Sequence, residues 1–107
     1  MAMINGLKIT DATVRIPPNP DDKLKAFATI ILNDAFVVSD IKIIQGRQGL
    51  FVAMPSRRRK DGKFRDVAHP LNAEVREMVE QRILDLYESE IVNPTPLSDQ
   101  ERLELIG

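Results

Sequence analysis

The chain of 107 residues contains no cysteine and only one histidine, His69. The absence of cysteine excludes disulfide frameworks, thiolate metal sites and thiol catalysis. A single imidazole leaves little material for a zinc site or a serine-type triad. The sequence also lacks the glycine-rich phosphate loops, the zinc-protease motif and the nucleophile elbow that mark many enzymes. We therefore expect a protein with no cofactor, no metal and no catalytic activity.

Targeting and membrane signals are missing as well. The first six residues have neither a basic start nor an apolar stretch, so they do not resemble a signal peptide. No apolar run approaches the roughly 20 residues that span a bilayer. Together with the absence of cysteine, these features predict a soluble, cytoplasmic protein that does not contact a membrane.

The formal net charge is -1, which taken alone argues against a polyanionic partner. The distribution of charge along the chain changes that conclusion. Residues 47–65 hold seven cations and one anion, a net charge of +6, whereas residues 66–107 hold three cations and ten anions, a net charge of -7. Exposed charges are screened over roughly 8–10 Å in physiological salt. Whether the basic segment can attract a polyanion therefore depends on how far the fold keeps it from the acidic one.

Hydrophobic patterning predicts strands in the first part of the chain and helix in the last. Near Asp11 the apolar residues switch from odd-numbered to even-numbered positions, and this change of parity predicts a β-bulge. The parity of the apolar positions changes again at Ser39-Asp40 in the third strand. Asn33-Asp34 is typical of a tight hairpin turn. The predicted strands are Leu7–Ile16, Leu24–Leu32, Phe36–Ile44, Leu50–Met54 and Lys63–Ala68.

The short strand Leu50–Met54 is wholly apolar. Such a strand is typically buried on both faces, or buried on one face and covered by a partner on the other. We expect residues 63–68 to return beside it as a hairpin, with the polar segment 56–62 as the connecting loop. Because a domain this small has few elements to cover the strand from both sides, the sequence predicts a homodimer.

Asn72 is the expected N-cap of a helix that runs to about Ser89. Apolar residues at helical spacing form one stripe, which we interpret as the face that packs on the sheet. Ser98 and Glu101 have capping-box spacing, so a short second helix is expected over residues 97–106. Strands followed by helices predict an α+β fold, a small antiparallel β-sheet of about four or five strands with the C-terminal helix packed on it. The stripe consists of Val75, Met78, Val79, Ile83, Leu86 and Tyr87.

The segment from Arg57 to Arg65 carries six cations and one anion. Phosphate recognition needs cations on long side chains, and arginine adds bidentate geometry. Between two strands these residues would project as a finger, and such β-ribbon elements enter DNA grooves. Two plainer interpretations stay open: a solvated hairpin tip, or a surface paired with the acidic helix. Phe64 is expected to pack in the core rather than to stack on a base.

A small enzyme is the least supported interpretation. It rests only on His69, which lies three residues after Asp66, so that a carboxylate could orient a general base. A junction histidine that is hydrogen-bonded to the backbone is the simpler interpretation of the same two residues.

Two stretches carry a family resemblance. Residues 49–57, Gly-Leu-Phe-Val-Ala-Met-Pro-Ser-Arg, and residues 61–70, Asp-Gly-Lys-Phe-Arg-Asp-Val-Ala-His-Pro, follow one another at the family's spacing. They resemble the G-L-F-[IV]-A-M-P-S-[RK] and D-G-x-[FY]-R-D-[IV]-x-[HF]-P signatures of the stage V sporulation protein G (SpoVG) family. The similarity covers residues 7 to 87, most of the chain.

This resemblance implies a bacterial, homodimeric regulator that binds DNA, and in some members RNA, and controls genes of sporulation, septation or the envelope. It implies an antiparallel sheet with a C-terminal helix, and nucleic-acid contacts by basic residues after the M-P-S signature. Many members carry Thr-Pro at positions 59–60, an acid at 63 and an uncharged residue at 47, so the finger of this chain is more basic. The expected nucleic-acid-binding residues are Arg57, Arg58, Lys63 and Arg65, with Arg59, Lys60 and Arg47 as additions.

The expected organisation is an N-terminal extension over residues 1–6, a single SpoVG-like domain over 7–90 and a C-terminal tail over 91–107. An alternative function is a protein-interaction module of the cell-division machinery without direct nucleic-acid binding. Such a module would dock an unknown protein partner through the acidic helix or through the edge of Leu50–Met54.

Overall fold

Within the part of the chain that the structure describes, six strands are followed by one long helix. A computed structural model describes residues 6–94. The predicted second helix over residues 97–106 lies outside these residues. The elements are β1 Ile9–Arg15, β2 Leu24–Leu32, β3 Phe36–Gly46, β4 Gly49–Ala53, β5 Ser56–Arg58, β6 Phe64–Asp66 and α1 Ala73–Val92.

The predicted α+β architecture is confirmed. The first four strands form an antiparallel sheet in the order β1-β2-β3-β4, and β5 and β6 form a separate two-stranded antiparallel hairpin. The helix α1 packs across one face of the four-stranded sheet, where it contacts β1 and β4. No helix within residues 6–94 has the length and apolar character needed to cross a membrane.

The tight turn expected at Asn33-Asp34 joins β2 to β3. Both residues have φ 53°, as a type I′ turn requires. The Asn33 side-chain oxygen accepts a hydrogen bond from the Lys8 amide at 2.8 Å, and the Thr10 hydroxyl accepts one from the Asp34 amide at 2.9 Å. These two bonds tie the turn to the beginning of β1.

The two changes of hydrophobic parity correspond to irregularities in the sheet. The pairing of β1 with β2 shifts between Ile9 and Asp11, so the predicted bulge is confirmed. In the pairing of β2 with β3, Ala28 lies opposite Ile41 and Ile30 lies opposite Val38, so β3 carries one extra residue. The bulge contains Asp40, whose φ of 59° is uncommon for a residue with a Cβ. It allows the apolar side chains on either side of it to face the same layer.

The core lies between α1 and the sheet. Asn72 caps the helix as predicted, because its side-chain oxygen accepts a hydrogen bond from the Val75 amide at 2.9 Å. Five of the six predicted stripe residues pack inward: four are buried and Met78 is half-buried against them. The sixth, Leu86, is not packed on the core, whereas Leu84 is. The helix continues to Val92, three residues past its predicted end. The buried core residues are Ala26, Ala28, Ile30, Ile41, Ile43, Val52, Val75, Val79, Ile83 and Tyr87.

The predicted hairpin between Leu50–Met54 and residues 63–68 is wrong. β6 pairs with β5, and among residues 6–94 β4 forms a ladder with β3 alone. Pro55 lacks an amide donor and ends β4, but the chain becomes extended again at Ser56. Pairing across the nearby Asp61-Gly62 turn closes a shorter loop than pairing back to β4 would. Segment 56–62 is therefore a strand and a turn rather than a loop.

The apolar strand β4 is covered on one face only. Val52 points into the core and is 4% exposed, whereas the Phe51 side chain is 44% exposed. Burial on both faces is therefore wrong for the described part of the chain. Coverage of the second face by a partner stays a prediction.

Candidate nucleic-acid interface

The basic segment folds into a hairpin whose turn is held by local hydrogen bonds. The Gly62 amide donates to the Arg59 carbonyl at 3.0 Å, and the Arg59 amide donates to the Lys63 carbonyl at 2.7 Å. The Asp61 carboxylate accepts a hydrogen bond from the Lys63 amide at 2.9 Å. Gly62 has φ 86°, a conformation that glycine adopts without steric cost. The only acid in the segment is thus used to build the turn.

The pairing of β5 with β6 sorts the side chains between two faces. Arg57 lies opposite Arg65, and Arg58 lies opposite Phe64. Side chains alternate along a strand, so Arg57 and Arg65 share one face and Arg58 and Phe64 share the other. The hydrogen bond from Arg59 to Lys63 continues the ladder by one step and assigns these two residues to the face of Arg57. One face of the hairpin therefore carries four cations and no acid.

The hairpin cations are exposed and available. The side chains of residues 56–67 are all exposed. In the described part of the chain none of the six cations between positions 57 and 65 takes part in an ion pair. On the helix, Arg76 pairs with Glu80 at 4.0 Å. The acidic face of the helix is thus not paired with the basic hairpin. Of the two plainer interpretations of this segment, pairing with the acidic helix is therefore wrong for residues 6–94.

Arg47 does not join the other predicted site residues. It lies in the turn between β3 and β4, while the hairpin begins after the opposite end of β4. Five residues of β-strand span about 17 Å at about 3.4 Å per residue. Within one chain, six of the seven predicted residues therefore form one cluster and Arg47 stands apart.

The expectation that Phe64 packs in the core is wrong. Its side chain is 71% exposed on the hairpin, beside Arg58. Because β6 pairs with β5 rather than with β4, Phe64 never reaches the helix-covered layer. An exposed aromatic ring next to an arginine is an arrangement on which an unpaired base can stack.

His69 and Asp66 do not form a catalytic arrangement in the described structure. His69 is exposed, and its Nδ1 atom donates a hydrogen bond to the Pro70 carbonyl at 3.0 Å. Asp66 lies at the base of the hairpin, opposite Ser56. The simpler interpretation, a junction histidine bound to backbone, agrees with this geometry.

Sequence reasoning found the basic residues but missed the facing pair of arginines. The error followed from the choice of strand partner, which placed residues 63–68 beside Leu50–Met54. A signal was present in the sequence, since Asp61 lies midway between Arg57 and Arg65 and precedes a glycine. Centring the hairpin on that turn gives the observed pairing.

The fold and the hairpin define a small α+β protein that presents a basic β-ribbon next to a sheet covered by one helix. Comparison with known proteins agrees with the resemblance noted in the sequence. The sequence model of the SpoVG family matches residues 7–89, and the chain belongs to the SpoVG family.

Several relatives cover most of this chain and most of their own length. A protein of Bdellovibrio bacteriovorus is 54% identical over 85 residues, which is 79% of this chain and 77% of the relative. One of Anaeromyxobacter sp. strain Fw109-5 is also 54% identical over 85 residues, with 79% and 86% covered. One of Macrococcus caseolyticus is 44% identical over 96 residues, with 89% and 83% covered. All three bear the provisional name septation protein SpoVG.

Proposed function

We propose that this protein is a cytoplasmic, homodimeric regulator that binds DNA, and also RNA, through the basic hairpin formed by β5, β6 and their turn. Through this binding it controls the expression of genes linked to sporulation, septation or envelope functions. Membership of the SpoVG family and the names of its relatives support the link to septation.

The observation that carries the proposal is the facing pair of Arg57 and Arg65. Like charges directly opposite one another in an antiparallel pair are destabilising. Between exposed side chains the effect is comparable in size to that of an exposed ion pair, about 0.2–1 kcal/mol. Within residues 6–94 no acid compensates this pair. A local arrangement that lowers stability without a compensating contact is expected at functional sites. A polyanion would supply the missing negative charge.

The size of the hairpin suits a nucleic-acid groove. Its two strands are paired and so lie about 4.8 Å apart. The major groove of B-DNA is about 12 Å wide and admits a two-stranded ribbon. The face of Arg57 and Arg65 would then contact phosphates, and Arg58 beside Phe64 would be directed at bases.

The homodimer is proposed to form through the free edge of β4. This strand pairs only with β3 in the described structure, and it exposes Phe51 on the sheet face that α1 leaves open. An unpaired edge with an exposed aromatic residue favours pairing with another strand. Two copies of β4 paired antiparallel about Phe51 would place the two rings next to each other, a favourable cross-strand pair.

This dimer would also bring Arg47 to the site. In antiparallel pairing centred on position 51, position 47 of one copy lies opposite position 55 of the other. Pro55 is the residue immediately before the hairpin. The partner's Arg47 would therefore extend the basic surface at the base of each hairpin, although the two regions are separated within one chain.

The proposal is tested by the salt dependence of binding to duplex DNA. The affinity is expected to fall steeply with salt. The slope of log affinity against log salt concentration is about -0.9 for each phosphate neutralised. The variant in which Arg57, Arg58, Arg59 and Lys60 are changed to alanine is expected to lose most of the affinity and much of the slope. An unchanged slope and affinity in that variant would show that the hairpin is not the binding site.

The competing function, a protein-interaction module, is supported by exposed apolar side chains between the hairpin and the helix. Val67 is 63% exposed and Leu71 is 92% exposed. A pull-down from cell extract separates the two functions. Specific protein partners that survive nuclease treatment, together with no measurable binding to DNA or RNA, would favour the interaction module.

A further inference from the structure

The sheet has a hollow on the face opposite the helix. It has a volume of about 290 Å³ and lies over β1, β2 and the bulge of β3. Pockets for drug-sized ligands usually start near 300 Å³, so this space suits one small planar group. It is separate from the basic hairpin. Its lining includes Thr13, Arg15, Phe27, Thr29, Ser39 and Asp40.

The lining combines an aromatic ring with two opposite charges. The register places Arg15 directly across from Phe27, which is half-buried. Arg15 and Asp40 both line the hollow, yet neither takes part in an ion pair within residues 6–94. The charges are therefore available to a ligand that carries both an anionic group and a hydrogen-bond donor. Hydroxyl groups of Thr13, Thr29 and Ser39 add further polar contacts.

The carboxylate is presented by a strained residue. Asp40 has φ 59° in the bulge of β3, and a bulge redirects a side chain relative to a regular strand. Backbone strain at a residue with a Cβ is often found at functional sites. Among residues 6–94 the Asp40 side chain makes no hydrogen bond that would explain the strain as a local capping device.

A row of paired residues leads from the hollow to the hairpin. Arg15 lies opposite Phe27, Phe27 lies opposite Lys42, and Lys42 lies opposite Ala53. Three strand spacings separate β1 from β4, about 14 Å in all. Ala53 is three residues before Ser56, where the hairpin begins. A chain of phosphates could thus follow Arg15 and Lys42 towards the basic hairpin.

The geometry points to a binding site for an unpaired nucleotide of a single-stranded nucleic acid in this hollow. The base stacks on Phe27, its amino group donates to the Asp40 carboxylate, and Arg15 contacts the phosphate. In thymine and uracil a carbonyl oxygen stands where cytosine carries its amino group, and the Asp40 carboxylate repels it. The site therefore prefers a base with an amino group: adenine, cytosine or guanine. The inference rests on the proposed function, since the hairpin supplies most of the affinity, and it adds a base-reading site on the sheet.

The test uses fluorescence anisotropy with the full chain and single-stranded DNA. The probes are thymine 12-mers in which the central base is thymine or cytosine, and a duplex of mixed sequence is the reference. The wild-type protein is expected to bind the cytosine probe roughly tenfold more tightly, as hydrogen bonds to a charged acceptor provide. Asp40→Gly is expected to abolish that preference without unfolding, because glycine suits the positive φ.

Two further variants keep the test specific. Asp34→Gly removes another exposed carboxylate at a positive φ, but one that does not line the hollow, and it is expected to leave the preference unchanged. Phe27→Leu keeps apolar bulk and removes the ring, and it is expected to weaken binding to both single strands about fivefold or more. Both variants, like Asp40→Gly, are expected to bind the duplex as the wild type does.

The outcomes separate this inference from the proposed function. If the wild type binds neither the single strands nor the duplex, the proposed function itself fails. If the hairpin variants lose binding while Asp40→Gly and Phe27→Leu keep both the affinity and the base preference, only the hollow is misassigned. A change of oligomeric state in Phe27→Leu would assign this face to contact between copies and would overturn the inference. If free 5′-dCMP binds as tightly as the 12-mer with the central cytosine, a nucleic-acid strand is excluded as the ligand.

Discussion

Replacing Arg57 and Arg65 together by threonine removes the facing pair of cations while it preserves the hairpin. Threonine is β-branched and favours strands, and both positions lie in the middle of their three-residue strands. The removed pair is unfavourable in the folded protein, because two exposed cations oppose one another without an acid. We therefore expect this double variant to lose nucleic-acid binding and to keep or gain stability.

The size of both effects follows from the structure. If each arginine neutralises one phosphate, the salt slope falls by roughly 1.8 per hairpin, which weakens binding roughly 30-fold at 0.15 M salt. The change of slope is about twice as large when both hairpins of a dimer contact one duplex. Relief of the like-charge contact raises the free energy of unfolding by about 0.2–1 kcal/mol, or the Tm by up to about 4–8 °C.

The assay is binding to a duplex at several salt concentrations, combined with a thermal melt of each protein. The matched control is Arg76→Gln with Arg82→Gln, which changes the net charge equally on the helix. The control is expected to retain the wild-type slope. An equal loss of slope in the control would refute the hairpin and indicate that total charge alone determines binding. A lower Tm in the threonine variant would refute the statement that the pair is unfavourable.

Three further predictions concern local contacts in the turns, in the β1–β2 connection and at the beginning of the helix. Asn72→Ala is expected to lower the free energy of unfolding by about 1 kcal/mol in urea denaturation, because the Val75 amide loses its cap. Gly62→Ala is expected to weaken DNA binding and to lower the Tm by about 4–8 °C in a thermal melt. The reason is that a side chain at φ 86° adds about 1 kcal/mol of backbone strain to the turn. The third prediction concerns Asp21, whose pKa is held below its usual 3.8, first by the hydrogen bond from the Leu24 amide and then by that from Lys23. Since the pKa of Asp21 is lower in the folded protein, its hydrogen bonds stabilise the fold at pH values above the usual pKa. This stabilisation is lost as the pH falls through the pKa of the folded state. An NMR titration of this carboxyl group with a midpoint at or above 3.8 would contradict that assignment.

Local features of the fold were predictable from the sequence because they depend on neighbouring residues. The parity change at Asp11 identified a bulge, Asn33-Asp34 identified a turn, and Asn72 identified the beginning of the helix. Each signal lies within a few residues of the structure that it determines. The apolar stripe of α1 was likewise readable, since its period depends only on the helix.

The strand partners and the surfaces they build were not predictable in the same way. The choice between β4 and β5 as the partner of β6 depends on loop closure and on Pro55. That choice then decided the exposure of Phe64 and the facing of Arg57 with Arg65. The hollow near Asp40 is formed by three strands together, so it depends on their pairing. The parity change at Ser39-Asp40 indicated only that β3 is irregular there. The absence of an ion pair between the basic hairpin and the acidic helix within residues 6–94 is also a property of the whole fold.

We propose that nucleic acid binds to the β5–β6 hairpin. Backbone amide NMR during titration with a short duplex tests it most directly, because each residue reports its own environment. We expect the largest shifts to fall within residues 56–67 and to shrink as salt is added. Shifts concentrated on α1, with residues 56–67 unaffected, would contradict it.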